Sequence, residues 1–188
     1  MSTVGFISLG CPKNQIDGEC LLASLYANGF EISDPYDGVD AVIINTCGFI
    51  ESAKKEAIEN ILDMAQLKED GVIGKIIVTG CLAERYKDEI LGEFPEVDAV
   101  LGVGSIHNIV EAVGKVLEGE KYTSFEDKNC VRLGGDRVLT TPEYAAYLKI
   151  AEGCDNRCTY CAIPSIRGKF RSRPMEDIIA EAKDLESL

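Results

Sequence analysis

Over roughly the first two thirds of the chain, short apolar runs alternate with longer stretches in which apolar residues return every three or four positions. TVGFISLG, DAVIINTC, KIIVTGC and VDAVLGVGS are dense in Val and Ile and short, so they predict strands covered on both faces. A further short strand is predicted near residues 30–33. Between the strands lie helical patterns. KNQIDGECLLASLYANGF stops at Asn28-Gly29, and ESAKKEAIENILDMAQLKEDG sets Ala57, Ile61, Met64 and Ala65 on one face and stops at Gly71. ERYKDEILGEF ends at Pro95, and NIVEAVGKVLEG is predicted to be capped by Asn108 and closed by Gly119. This alternation predicts an α/β protein: a doubly wound five-stranded parallel sheet, flavodoxin-like, with the strand order 2-1-3-4-5 taken from that class.

From Glu120 the rhythm breaks. CVRLGGDRVLTT predicts a hairpin around Gly134-Gly135 or an irregular linker, EYAAYLKIAEGC a strand, and RPMEDIIAEAKDLESL a closing helix. The predicted domains are therefore 1–118 for the sheet, 119–143 for the linker or hairpin, and 144–188 for the beginning of a second domain. One strand, one loop and one helix are too little to fold alone, so the second domain is expected to be truncated.

Composition narrows the class. The 188 residues are 46% hydrophobic, enough for a sizeable core, and no apolar run approaches the roughly 18–20 residues of a membrane span. MSTVGFISLGC has neither a basic start nor a small-residue cleavage site, so it is not read as a signal peptide, and a cytoplasmic, membrane-free protein is expected. The formal net charge of −13 disfavours non-specific contact with nucleic-acid phosphates; it suits a basic protein partner, or serves solubility alone.

The chemistry lies in eight cysteines, which in a reducing compartment point to metal or redox sites rather than disulfides. Cys11, Cys47 and Cys81 each end an apolar strand and precede a helix, where the dipole favours the thiolate that binds metal. In an open parallel sheet, the carboxyl ends of the strands form one edge, and ligands bind there. The alternative is three small buried thiols packing as apolar groups. Cys154, Cys158 and Cys161 form a CxxxCxxC run that one loop can wrap around a metal centre. Three thiolates leave one coordination position open, whereas structural zinc and complete iron–sulfur sites take four ligands. The single histidine, His107, falls at the end of the fifth strand and is either a fourth ligand for the first trio or a loop residue. Cys20 reads as a core residue of the first helix, and Cys130 stands alone in the linker. Arg167, Lys169, Arg171 and Arg173 form a basic run that could approach a carboxylate or phosphate, but charge runs usually face water, so a solvated loop is expected.

CDNRCTYC, with an aromatic residue before its last cysteine, resembles the signature of radical S-adenosylmethionine enzymes. SLGCPKN, INTCGFIESA and VTGCLAERY resemble the N-terminal domain of the methylthiotransferases within that group, as does YLKIAEGCDNRCTYCAIPSIRGKFRSRP. SLGCPKN, NTCGFIESA and IPSIRG look like the branch that acts on a small-subunit ribosomal protein. The transfer-RNA branch more often has Gln-Met in place of Pro12-Lys13 and Tyr-Thr in place of Ser165-Ile166.

The resemblance implies a fold continuing into a radical S-adenosylmethionine β/α barrel, and two [4Fe–4S] clusters. Cys154, Cys158 and Cys161 would hold one, whose fourth iron takes S-adenosylmethionine. An electron donor then drives cleavage of that cofactor to a 5′-deoxyadenosyl radical. Cys11, Cys47 and Cys81 would hold the other, carrying the sulfur group that is transferred to an aspartate of the ribosomal protein. Tyr160 would lie beside the cofactor or pack the cluster loop. The family's enzymes continue for a few hundred residues, so this piece alone is expected not to turn over. Three alternatives remain open: the transfer-RNA enzyme of the same family, a zinc- or thiol-binding module without catalysis, and a nucleotide- or flavin-binding domain, for which no strand is followed by GxGxxG or a P-loop.

Overall fold

The computed structural model describes residues 2–131 and 133–187. Its chain order is β1 (Thr3–Ser8), α1 (Pro12–Ala27), β2 (Glu31–Ser33), β3 (Ala41–Thr46), α2 (Glu51–Glu69), β4 (Lys75–Gly80), α3 (Cys81–Arg85), α4 (Lys87–Glu93), β5 (Ala99–Leu101), a 3-10 turn (Val103–Asn108) and α5 (Ile109–Leu117). Then follow β6 (Tyr122–Ser124), β7 (Ala151–Glu152), α6 (Ile163–Arg167), β8 (Arg171–Ser172) and α7 (Met175–Glu186). The main sheet is parallel, in the order β2-β1-β3-β4-β5-β6. The predicted order is therefore present, extended by a sixth strand.

Every residue of β3 is buried, because helices cover both faces. Val42, Ile44, Ile76 and Val78 pack with Ala57, Ile61 and Met64 of α2 on one side. Ile43, Ile77, Ala99 and Leu101 pack with Leu21 and Leu25 of α1 and with Ile109, Ala112, Val113 and Val116 of α5 on the other. Alternate side chains of each strand thus feed two core layers.

The register places the strand ends level. Ser8 lies opposite Asn45, and Asn45 opposite Thr79. The loops carrying Cys11, Cys47 and Cys81 therefore leave the sheet side by side at its carboxyl edge.

Several local expectations are corrected. β6, read in the sequence as part of the linker, pairs with β5 through Ala99–Tyr122 to Leu101–Ser124. The helix predicted over ERYKDEILGEF is two helices, broken at Tyr86 (φ −126°, ψ 38°), whose ring takes the Lys54 ammonium at 4.6 Å and the Arg85 guanidinium at 5.1 Å. The fifth strand closes at Leu101, because Glu84 Oε2 accepts the Val103 N–H at 3.0 Å and Ser105 N–H turns back to Gly102 O. Asn108 makes no capping hydrogen bond; its amide donates to Ser124 Oγ and to Glu126 Oε1.

No strand pair forms around Gly134-Gly135 among the described residues, and Arg132 within that stretch lies outside them. Instead the linker bonds to α1: Val138 N–H donates to Glu19 O at 3.1 Å and Thr140 N–H to Glu19 Oε1 at 3.0 Å. The strand predicted over 143–154 shrinks to Ala151–Glu152, antiparallel to Arg171–Ser172.

Candidate functional site

Cys11 is exposed and occupies the N-cap of α1, directly before Pro12, whose missing N–H costs nothing at a helix start. Cys47 and Cys81 are buried, at 7% and 6% exposure. Cys81 is the first residue of α3. The three loops interlock closely. A side chain at Gly10 (φ +105°) would set its Cβ 2.6 Å from Cys47 Cβ, and one at Gly48 would lie 2.8 Å from Leu82 Cα.

A polar staple fixes this edge. Asn14, fully buried in the first turns of α1, donates to Leu9 O at 2.6 Å and to Asn45 O and Thr46 O at 3.3 Å. Asn45 returns a bond to Asn14 O at 2.7 Å. One amide thus ties the ends of β1 and β3 to α1.

Burial pushes the Cys81 thiol up to about 11; the Arg167 guanidinium works against that shift, while Asp17 and Cys47 add to it.

The second trio sits on the loop between β7 and α6. Cys158 is exposed and Cys154 and Cys161 are half-buried. The loop is closed by Cys161 N–H to Cys158 O at 3.0 Å and by Cys154 N–H to Gly168 O at 3.1 Å. Tyr160 is 88% exposed, so it does not pack the cluster loop in this chain.

His107 pairs with Glu126 at 3.2 Å, both half-exposed, and lines the cleft that Cys20 and Cys130 also border. Cys20 is half-buried rather than part of the core, with burial raising it to about 11, and it borders a cleft of about 850 Å³ between α1 and the linker. All eight cysteines are free.

The basic run is not a solvated loop. Arg167 and Arg173 are buried, and Arg171 donates to the carbonyls of Lys128, Asn129 and Val131. Lys169 alone of the four is exposed. A guanidinium carries fixed donors that backbone oxygens and carboxylates can satisfy, so arginines are recruited as struts between segments. Arg167 meets Asp17, Glu152, Asn14 and Cys81. Sequence reasoning missed Asn14, Asp17 and Glu152, and preferred a solvated loop over the carboxylate contact for Arg167. An Asn and an Asp spaced i, i+3 on α1, as Asn14 and Asp17 are, form the one signal available, because they share a face.

The donor set at both places is purely thiol, which suits iron–sulfur clusters and zinc. The structure brings the three strand-end loops together, and keeps the second loop beside them through Arg167. Among the described residues, no three His, Cys, Asp or Glu side chains are gathered closely enough to hold a metal ion.

A parallel α/β sheet with thiols at its carboxyl edge, followed by a cysteine loop, defines the class. Residues 3–102 match the Uncharacterized protein family UPF0004, and the chain belongs to that family. Residues 148–188 match the Radical SAM superfamily, which implies an iron–sulfur cluster and S-adenosylmethionine.

Among curated relatives, the chain is 56% identical over 187 residues to the ribosomal protein uS12 methylthiotransferase RimO of Desulforamulus reducens, across 98% of this chain and 42% of that protein. It is 50% identical over 186 residues to the protein of the same name from Thermoanaerobacter sp. (strain X514), with 98% and 42% covered. The one from Clostridium botulinum (strain Eklund 17B / Type B) is 48% identical over 188 residues, again with 98% and 42% covered. The chain thus spans about two fifths of the length of the curated relatives it matches. Among the described residues, no helix is long and apolar enough to cross a membrane.

Proposed function

We propose that the chain is the N-terminal part of a radical S-adenosylmethionine methylthiotransferase that adds a methylthio group to an aspartate of ribosomal protein uS12 in the cytoplasm. The observation that carries this reading is the presence of two separate three-thiol sets in one chain, joined by Arg167. Under it, Cys154, Cys158 and Cys161 hold one [4Fe–4S] cluster with S-adenosylmethionine beside Tyr160, and Cys11, Cys47 and Cys81 hold a second. When bound, these groups supply one-electron cleavage of the cofactor and the sulfur that is transferred.

The chain's own residues orient and shield. Asn14 fixes the strand-end loops, and the burial of Cys47 and Cys81 keeps water from the sheet edge. Residues 1–118 act as the sheet domain and 144–188 as the start of the second. The linker 119–143 contributes the edge strand β6 before running back along α1. The charge of −13 favours a basic protein substrate over transfer RNA. An external electron donor is required by the chemistry.

Deleting the encoding gene tests the reading. Mass spectrometry of uS12 is expected to lose one methylthio group in the deletion strain. The wild-type gene restores it, and the C47A and C158A forms do not. An unmodified uS12 in the parent strain, with methylthio loss seen in transfer RNA instead, would assign the other branch. Anaerobic reconstitution adds a direct check of the metal: sulfide-containing iron at both trios supports two clusters, and tight zinc without sulfide refutes them.

A further inference from the structure

Arg167 lies on α6, the short helix after the CxxxCxxC loop, with its side chain 3% exposed. Each group it meets belongs to one of the two thiol-bearing regions. Nη1 donates to Asp17 and, at 3.2 Å, to Glu152 Oε2. Nη2 donates to Asn14 Oδ1 at 3.3 Å and to Cys81 Sγ at 3.1 Å. Asn14 and Asp17 stand on α1, the helix that Cys11 caps, and Glu152 ends β7, just before Cys154.

Charge balance does not require the sulfur contact. Lys149 joins the same carboxylates and the half-exposed Lys13 reaches Glu152 at 3.5 Å, so both anions are met by cations without the sulfur. A neutral thiol is also a weak acceptor for a guanidinium, whereas a sulfur carrying negative charge is a strong one. The contact thus gains most of its strength when Cys81 acts as a ligand, in which state its sulfur is a thiolate.

We propose that Arg167 is a positioning residue that ties the CxxxCxxC segment to Cys81 and raises the reduction potential of the cluster held by Cys11, Cys47 and Cys81 through an N–H···S bond. The proposal rests on the reading that this trio holds an iron–sulfur cluster. Hydrogen bonds to cluster sulfurs and local charge are among the quantities that set cluster potentials. A buried cation at a ligand sulfur favours the more negative, reduced state. Asp17, held by the same guanidinium, acts with the opposite sign. A residue of the second thiol region thereby tunes the metal centre of the first.

The test uses the full chain with Cys154, Cys158 and Cys161 replaced by Ala and reconstituted anaerobically with iron and sulfide, so that bound cluster reports the strand-end trio alone. Its midpoint potential is read by redox titration followed by electron paramagnetic resonance. In this background R167Q is expected to lower the potential and D17N to raise it, with R167K falling between wild type and R167Q. Opposite shifts follow from opposite charges; loosened packing would move both variants the same way, and that result overturns the proposal, as do unmoved potentials. If R167Q binds no iron, R167K and D17N decide: R167K below wild type with D17N above it supports the proposal, and any other pair of shifts overturns it. Absence of iron from the background chain itself refutes the cluster reading, and the role of Arg167 falls with it. Iron present with fixed potentials removes Arg167 alone.

Discussion

At Gly10 the absence of a side chain allows two cysteine loops to meet. Its φ of +105° strains any other residue, and a Cβ there would lie 2.6 Å from Cys47 Cβ. The backbone strain alone costs about 1–3 kcal/mol, and the clash must additionally push Cys47 away. G10A is therefore expected to lower the thermal midpoint, and to reduce iron uptake at the strand-end trio while sparing the CxxxCxxC loop. Iron per chain, measured with and without the second trio, separates the two effects. Thiol accessibility gives a second expectation at this scale. In the metal-free chain at pH 8, Cys11, Cys130 and Cys158 are exposed and should alkylate first. Cys47 and Cys81 should react last, Cys81 doubly so because burial raises it to about 11 and leaves little thiolate. Peptide mapping by mass spectrometry gives the order, and early labelling of Cys81 would show that the sheet edge is open.

Between elements, Asn14 is the joint of α1, β1 and β3. N14A removes donors from the carbonyls of Leu9, Asn45 and Thr46 in a fully buried setting, and also removes the Arg167 contact. A loss of about 1–3 kcal/mol is expected from unsatisfied buried groups, read from the urea midpoint; an unchanged midpoint would mean that water or a neighbour replaces the amide. Asn14 also shows where the sequence stops being legible. β1, β3 and β4 announce themselves because a strand covered on both faces must be apolar throughout, and α2 does so through Ala57, Ile61 and Met64. β6 does not, since Tyr122, Thr123 and Ser124 pair at a sheet edge with little burial and leave no periodic trace. The break at Tyr86 coincides with the packing of its ring against Lys54 of α2 and its own neighbour Arg85, contacts that helix periodicity does not encode. The six candidate cysteines could be picked out because thiols at strand ends and in a tight run are rare. Asn14 and Asp17 could not, because a polar residue on an amphipathic helix looks like solvent face until its distant partner is known. The basic run misled for the same reason: Arg167 and Arg173 are as charged as a solvated loop would be, yet the acceptors that bury them lie on other segments.

For the whole molecule, the sheet and the cysteine-loop segment are joined by a buried ionic network, which makes their union sensitive to acid. Asp17, Lys149, Glu152 and Arg167 form its centre, with Lys13 reaching Glu152 at 3.5 Å from α1. Arg137, Glu19, Glu181 and Arg173 extend it from α1 through the linker to α7. Burial alone would raise the Glu152 carboxyl, but Arg167 and Lys149 outweigh it and hold it below its ordinary 4.5; for Asp17 the same two cations overcome burial and hold it below 3.8. The sign follows from linkage. A carboxyl that is more acidic in the folded chain contributes stability in full above its unfolded value, and that contribution is lost as pH falls from there through the folded value. Stability should therefore hold from neutral pH down to about the ordinary carboxylate values and then fall steeply. E152Q leaves Lys149 and Arg167 facing Asp17 alone, which places an uncompensated cation in a buried site. The variant is expected to be less stable at pH 7, and the gap between it and wild type should narrow as pH drops from 4.5, where Glu152 of the unfolded chain takes up its proton, through the lower value of the folded carboxyl. Urea midpoints of both chains across pH 3 to 7 measure this. Parallel curves with a constant gap would show that Glu152 acts through shape and its bond to Gly153 N–H rather than through its charge.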